Sequence, residues 1–287
     1  MSDMRRPPFA GNDRTAMPSI PSDSRHARQI ARRQMIAETV MAEGAMRIED
    51  LTERFGISLM TAHRDLDELA DQGLLRKTRG IVSAAPTSLI EASNVYRASR
   101  QHAEKQSIAA AAAALIEPGQ AVFFDDSTTV MQILPHLPAR VPLTAITNSM
   151  SLMNELKLTR DITLVGLGGQ FHNWCNAFMG PVTTAEIRRL RADLLIMSMA
   201  AITDDMVFHQ SPEMVETKRA MFDSAARRVL LTDHTKFERR ALYAMCALDE
   251  FDVVIVDDGI LPHQIDRMRA RGINVQVAPR IAAKATI

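Results

Sequence analysis

The chain has 287 residues, a formal net charge of zero and two cysteines. That length accommodates a small domain and a larger one, each with its own core. A zero charge balance excludes a general polyanion binder, and Cys175 and Cys246 alone cannot build a disulfide framework. The Ala-rich run 108–116 is too short to span a membrane and is flanked by Lys105 and Glu117. No signal-peptide pattern opens the chain, so a cytoplasmic protein is expected.

In chain order, residues 1–24 are rich in Pro, Ser, Gly, Asp and Arg without periodicity, and a disordered tail is expected there. A helix is predicted from about Ser24 to Ala42, with Ile36 and Val40 packing on the elements that follow. In the next stretch Ile48, Leu51 and Phe55 recur at helical spacing, while Glu49, Asp50, Glu53 and Arg54 face water. Gly56 supplies a left-handed stop. Ser58 then caps a second helix whose buried row is Ala62, Leu66 and Leu69, closed at Gly73.

Two short helices about a glycine turn make a helix-turn-helix whose second helix reads DNA. With that row inward, Ser58, Leu59, Met60, Thr61, His63 and Arg64 lie where base edges are contacted. Arg64 is suited to a bidentate contact. The run LLRKTRGIVSA reads as a β-ribbon wing carrying Arg76, Lys77 and Arg79 toward phosphates. From Met1 to Pro86 there are 13 Lys plus Arg against 12 Asp plus Glu, so Asp65, Asp67, Glu68 and Asp71 are expected on or near the solvent side of the reader, away from phosphates.

The run Ile57-Ser58-x-x-Thr61-x-x-Arg64-Asp65-Leu66-x-x-Leu69-x-x-x-Gly73-x-x-x-Arg76 resembles the N-terminal signature of the DeoR family of bacterial transcription regulators. It departs from that signature at His63, where the family usually has a second arginine, and at Gly80-Ile81, where the family has a Gly pair. The expected organisation is a winged helix-turn-helix at 25–84, a linker at 85–104 and a sensor and oligomerisation domain at 105–287.

Beyond Lys105 an Ala-rich helix is followed by seven apolar runs, AVFFDD, VPLTAIT, ITLVGLG, ADLLIMSM, RVLLTD, FDVVIVDD and INVQVA. Helical segments at Thr129 to Leu134, Met150 to Leu156 and Glu213 to Ala226 separate some of them, which predicts an α/β domain with a mostly parallel sheet covered on both faces. In open α/β sheets ligands bind beyond the carboxyl ends of strands. The strand ends here carry Asp125, Ser127, Thr128 and Thr129, then Thr147, Asn148 and Ser149, then Gly168 and Gly169, where backbone could approach a ligand, and later Lys236. Hydroxyls and amides at helix starts favour a phosphate.

The series Glu104-Lys105, Asp125-x-Ser127-Thr128-Thr129, Thr147-Asn148-Ser149, Gly168-Gly169, Gly180-Pro181, Glu216-x-Lys218-Arg219 and Asp233-x-x-Lys236-Phe237 is similar to the C-terminal half of the same family. That half is similar in fold to ribose-5-phosphate isomerase and the CoA transferases. The resemblance implies a bound sugar phosphate or related metabolite, with Lys218 among its contacts, and no cofactor. It also implies a homo-oligomer, dimer or tetramer, acting on double-stranded operator DNA, most simply as a repressor of carbohydrate catabolism genes. Asp126 stands where the family commonly has Gly, and Ser198-Met199-Ala200-Ala201-Ile202 where it often has Gly and small residues.

The alternative is a sugar-phosphate isomerase using Asp125, Glu216, Lys218 and Lys236. His172 and Cys175 have a metal-like spacing, with His136, His209 and His234 elsewhere, but without a second Cys pair or His-x-x-x-His unit no metal site is expected. Trp174 is expected to pack or to wall a pocket.

Overall fold

The computed structural model describes residues 45–71, 75–84, 97, 98 and 100–280, with 29, 32, 33, 35–37, 39, 40 and 43 before them. The expected tail, the start of the first helix, Gly73, Leu74 and residues 85–96 of the connection lie outside the described residues.

Helical residues between 29 and 43 place Ile36 and Val40 in a small core. Ala45–Arg47 forms β1, Ile48–Phe55 α1, Leu59–Asp71 α2, Leu75–Thr78 β2 and Ile81–Ala84 β3. Gly56 ends α1 in the left-handed conformation, φ 59° and ψ 37°, where a side chain would add strain. Ser58 Oγ accepts the Thr61 N–H at 3.3 Å, the cap expected for α2. Ala62, Leu66 and Leu69 all face the core, against Leu51, Leu75 and Val82. The wing is antiparallel in the order β1-β3-β2. Its loop, Arg79-Gly80, has φ of 49° and 80°, so both residues are left-handed, as a two-residue hairpin requires.

The second core begins with α3, His102–Ala113, whose alanines let it lie close to a sheet. There follow β4 Ala121–Phe124, β5 Leu143–Thr147, α4 Met150–Leu156, β6 Ile162–Gly166, β7 Gln170–His172, β8 Ala177–Met179, α5 Pro181–Arg188 and β9 Ala192–Ser198. Then come β10 Ala201–Thr203, β11 Met206–His209, α6 Pro212–Asp223, β12 Ala225–Thr232, β13 Tyr243–Ala247, β14 Val253–Asp257, α7 Pro262–Ala270 and β15 Val275–Ala278. All seven predicted apolar runs join one seven-stranded sheet, ordered β15-β14-β12-β9-β4-β5-β6, with parallel pairings throughout.

Alternation along β4 sends Phe123 to one face and Phe124 to the other. Phe124 packs with Ile108, Ala112 and Ile133 on the α3 side, and Phe123 with Ile187, Met221 and Met268 on the opposite side. Each phenylalanine is fully buried, contributing about 2–3 kcal/mol from apolar area. From β4 the chain winds outward through β5 and β6, and in the other direction through β9, β12, β14 and β15. The order therefore reverses between β4 and β9, which opens a crevice past their carboxyl ends.

Three local readings need correction. The helix expected to reach Ala226 stops at Asp223, because Ala225 pairs with Ala192 of β9 and that pairing overrides alanine's helix preference. The helix expected at Thr129 to Leu134 is a 3-10 helix over Val130–Ala139, where Pro135 and Pro138 remove the donors an α ladder would use. The antiparallel sheet β10-β11-β13 was not foreseen. Its first hairpin turns on Asp204-Asp205, φ 51° and 59°, a left-handed pair that aspartate tolerates.

Candidate functional site

On the reader, Ser58, Leu59, Met60, His63 and Arg64 are exposed, and Thr61 is half-buried beside Ser58. Met60 retains 74% of its surface and Leu59 52%, so two adjacent apolar side chains stand open beside the polar residues of the row. Arg76 and Arg79 are exposed on the wing, whereas Lys77 is half-buried and ion-paired to Asp67.

Asp65 departs from expectation. Rather than facing solvent, it is 1% exposed and receives Arg32 Nε at 2.7 Å and Arg33 Nε at 2.9 Å. Arg33 also reaches Glu68 at 3.5 Å. Burial works to raise the Asp65 carboxyl, but the two arginines outweigh it and hold the group below its ordinary value. Reading Asp65 as a surface acid overlooked that its register beside Leu66 and Leu69 turns it inward, toward Arg32 and Arg33 of the helical residues before β1.

Past the sheet's switch point, Asp125, Asp126, Ser127, Thr128 and Thr129 leave β4 buried, and Thr147, Asn148 and Ser149 leave β5 buried. Asp125 is saturated with donors: the Ser127 N–H at 2.9 Å, the Ser198 N–H at 2.8 Å and the Lys218 ammonium. Lys218, brought from α6, also donates to Ser198 O at 2.9 Å and lies 3.5 Å from Asp126. Glu216, two residues earlier on α6, is exposed and does not join this group. Among the described residues Asn148 Oδ1 and Ser198 Oγ, both buried at strand ends, have no hydrogen-bond partner, and a ligand with donors would satisfy both.

A second group gathers on the α3 side. Lys105, 4% exposed, donates to Thr128 Oγ1 at 3.1 Å and to the carbonyl of Arg97. Lys236, from the 3-10 turn after β12, donates to Met199 O at 2.9 Å. Burial first, then Lys236, with Arg97 and Arg239 adding to it, pulls the Lys105 ammonium down to about 7, while Asp233 opposes them. Burial pushes Asp233 upward, but Lys236, the Thr235 hydroxyl, Arg239 and Lys105 together hold it low. Sequence reading named Lys105 and Asp233 within the family-like series but, of this group, only Lys236 as an effector contact, and it did not name Arg97 or Arg239. A charged residue inside the first turn of an Ala-rich buried helix was the available signal for Lys105.

Other expected site residues have local roles. Ser127 Oγ and Ser149 Oγ cap the turns behind them, accepting from Val130 and Leu152 at 3.2 and 3.3 Å. Thr147 Oγ1 accepts the Ser149 N–H at 3.1 Å. Gly168 and Gly169 are exposed, and at Gly169 a Cβ would fall 2.1 Å from Thr183 Oγ1. The missing side chain there makes room for Thr183, which donates to Gly168 O at 2.8 Å. His172 sits 3.5 Å from Glu213, and Trp174 packs beside Cys175, Met179 and Met214. No cluster of three potential metal ligands occurs among the described residues, and no described helix is long and apolar enough to cross a membrane.

An exposed reader row and wing, followed in the chain by a doubly wound domain with a polar crevice, define a DNA-binding regulator that carries its own sensor. A family model described as the DeoR-like helix-turn-helix domain matches residues 32–87, and one described as the DeoR C terminal sensor domain matches residues 100–258. The chain belongs to the DeoR family.

It is 32% identical over 230 residues to the transcriptional repressor AccR of Agrobacterium fabrum, covering 79% of this chain and 89% of that one. It is also 32% identical to the lactose phosphotransferase system repressor of Staphylococcus aureus, covering 77% and 89%. Among solved structures, ribose 5-phosphate isomerase A from Methanocaldococcus jannaschii shares 14% identity at a TM-score of 0.35, over 46% of this chain and 53% of that one. That likeness is too slight to bear on fold or chemistry.

Proposed function

We propose that the chain is a transcriptional repressor of carbohydrate or related catabolic genes. In this reading the Ser58 to Arg64 row reads operator bases, Arg76, Lys77 and Arg79 hold phosphates, and a phosphorylated sugar or similar metabolite in the crevice lowers operator affinity. The observation that carries the effector half is the convergence of buried Lys105 and half-buried Lys236 on the side of the Thr128 loop. Cations excluded from water favour a compact anion. The unpartnered Asn148 Oδ1 and Ser198 Oγ suit hydroxyl donors on the same ligand.

The relatives named as repressors, one of a lactose phosphotransferase system, support repression and sugar-related control. A single short reader helix covers a half-site, so a homo-oligomer, dimer or tetramer, would place two readers on repeated half-sites. Against an isomerase, Asp125 is tied by three donors and Glu216 points to solvent, which leaves neither carboxylate placed as a base.

The test maps bound DNA across the genome, then titrates phosphorylated intermediates of the adjacent pathway into the purified repressor–operator complex. Release by one of them is expected. Lys236→Ala should raise that effector's Kd at least about tenfold, about 1.4 kcal/mol, with operator affinity unchanged. Normal release by the variant would move the effector elsewhere.

A further inference from the structure

Lys105 stands between the crevice and the chain that leads into it. It lies in the first turn of α3, and its two hydrogen bonds run in opposite directions: to Thr128 Oγ1 on the β4 loop and to the Arg97 carbonyl eight residues back. Between those partners the chain turns sharply. Gln101, the residue before α3, has φ 50° and ψ 43° with no side-chain cap, a left-handed conformation that costs a non-glycine residue about 1–2 kcal/mol. The Lys105 N–H reaches back to Gln101 O at 2.9 Å, so one residue grips the turn through both its backbone and its side chain. In chain order Arg97 and Gln101 follow the reading head and lead into the sensor domain.

The electrostatics give this grip a sense of occupancy. The groups facing Lys105 are Lys236, Arg97 and Arg239, which disfavour its charge, and Asp233, which favours it; with burial they hold it near 7. A neutral amine has two hydrogens, already committed to Thr128 and Arg97. A dianion seated against Thr128 restores the ammonium, and its third N–H then faces the anion. The bond to the Arg97 carbonyl becomes charge-assisted, roughly twice as strong as a neutral one.

We propose that Lys105 couples the sensor site to the reading head: an anion beside Thr128 recruits the Lys105 ammonium, which draws the Arg97 carbonyl with it and holds Arg97 and Gln101 in one arrangement. This rests on the reading of the crevice as the effector site. Ordering of that segment then disfavours the arrangement that binds operator, since an effector shifts an equilibrium only through a difference between its states.

The experiment uses the full chain and inorganic sulfate, a dianion that does not titrate near neutrality. At pH 8, sulfate binding followed by titration calorimetry in two buffers of different ionisation heat should take up close to one proton per site. Hydrogen exchange at 97–105 should slow severalfold on saturation. Lys105→Arg, charged throughout, should show the slowing without the proton uptake. Lys105→Met should bind sulfate more weakly and show neither at saturation. Sulfate binding to the wild type with no proton uptake, or with unchanged exchange at 97–105, overturns the coupling while leaving the effector site in place. An absence of detectable sulfate binding to the wild type overturns the effector reading and the coupling with it.

Discussion

Replacing Asp65 by alanine tests whether the reader helix is held by an ion cluster or only by its apolar row. Asp65 is buried and accepts from Arg32 and Arg33 at 2.7 and 2.9 Å. Breaking a buried pair by removing one partner costs about 3–5 kcal/mol. Here the surviving partners are 28% and 19% exposed and can take up water, which lowers the expected loss to about 2–3 kcal/mol. Native-state hydrogen exchange of the α2 amides in the full chain is the suitable assay, since a protein with two cores need not unfold in one step. The expected acceleration is roughly 30- to 150-fold.

The pH dependence has a definite sign. The carboxyl is held below its unfolded value, so its contribution is fully present above about pH 4 and is lost as pH falls through the lower folded value. The wild type and Asp65→Ala should therefore differ at pH 6 and converge in strong acid. Exchange in the variant within threefold of wild type at pH 6 would refute the assignment.

Gly169→Ala should destabilise the sensor core by about 2–5 kcal/mol, through a φ of 145° and the contact with Thr183, and lower its melting temperature by about 5–15 °C. Gly168→Ala, which meets nothing within 4 Å, is the control and should melt near wild type; equal melting of the two variants would remove the steric reading. On the reader, Arg64→Ala should cost operator binding about 1–3 kcal/mol in fluorescence anisotropy. If the lost contact is to a base, the salt slope should hold and discrimination at one base position should relax; if it is to a phosphate, the slope should fall by about one per head without a change in preference.

The strands were legible because a parallel sheet covered on both faces demands continuous apolar runs, and all seven runs read from the sequence became its strands. The reader was legible for a related reason: Leu51, Ala62, Leu66 and Leu69 repeat at helical spacing around a glycine that adopts the left-handed turn. What stayed hidden was pairing at a distance. Nothing local to Asp65 shows that arginines more than thirty residues earlier will meet it, and nothing near Lys105 shows that Lys236 and Asp233 will face it. Glycine was ambiguous in the same way, since Gly169 beside a presumed ligand and Gly169 beside Thr183 look identical in sequence.

The buried Asp65 also changes what the balanced charge of the N-terminal half means. Arg32, Arg33 and Lys77 are turned inward or sideways onto Asp65, Glu68 and Asp67, so part of the basic content is spent within the fold. Among the described residues, Arg64, Arg76 and Arg79 are exposed on α2 and the wing, with His63 beside Arg64. Three cations on α2 and the wing give by themselves little counterion release, so their contribution to sequence-independent binding is small. On the proposed reading, affinity comes from base contacts by the exposed Ser58 to Arg64 row and from two heads of a homo-oligomer engaging together, in which case the spacing between heads governs binding more than the strength of either. The coupling proposed through Lys105 would exploit that dependence, because a modest change in the segment joining head to core would alter whether both heads reach their half-sites at once.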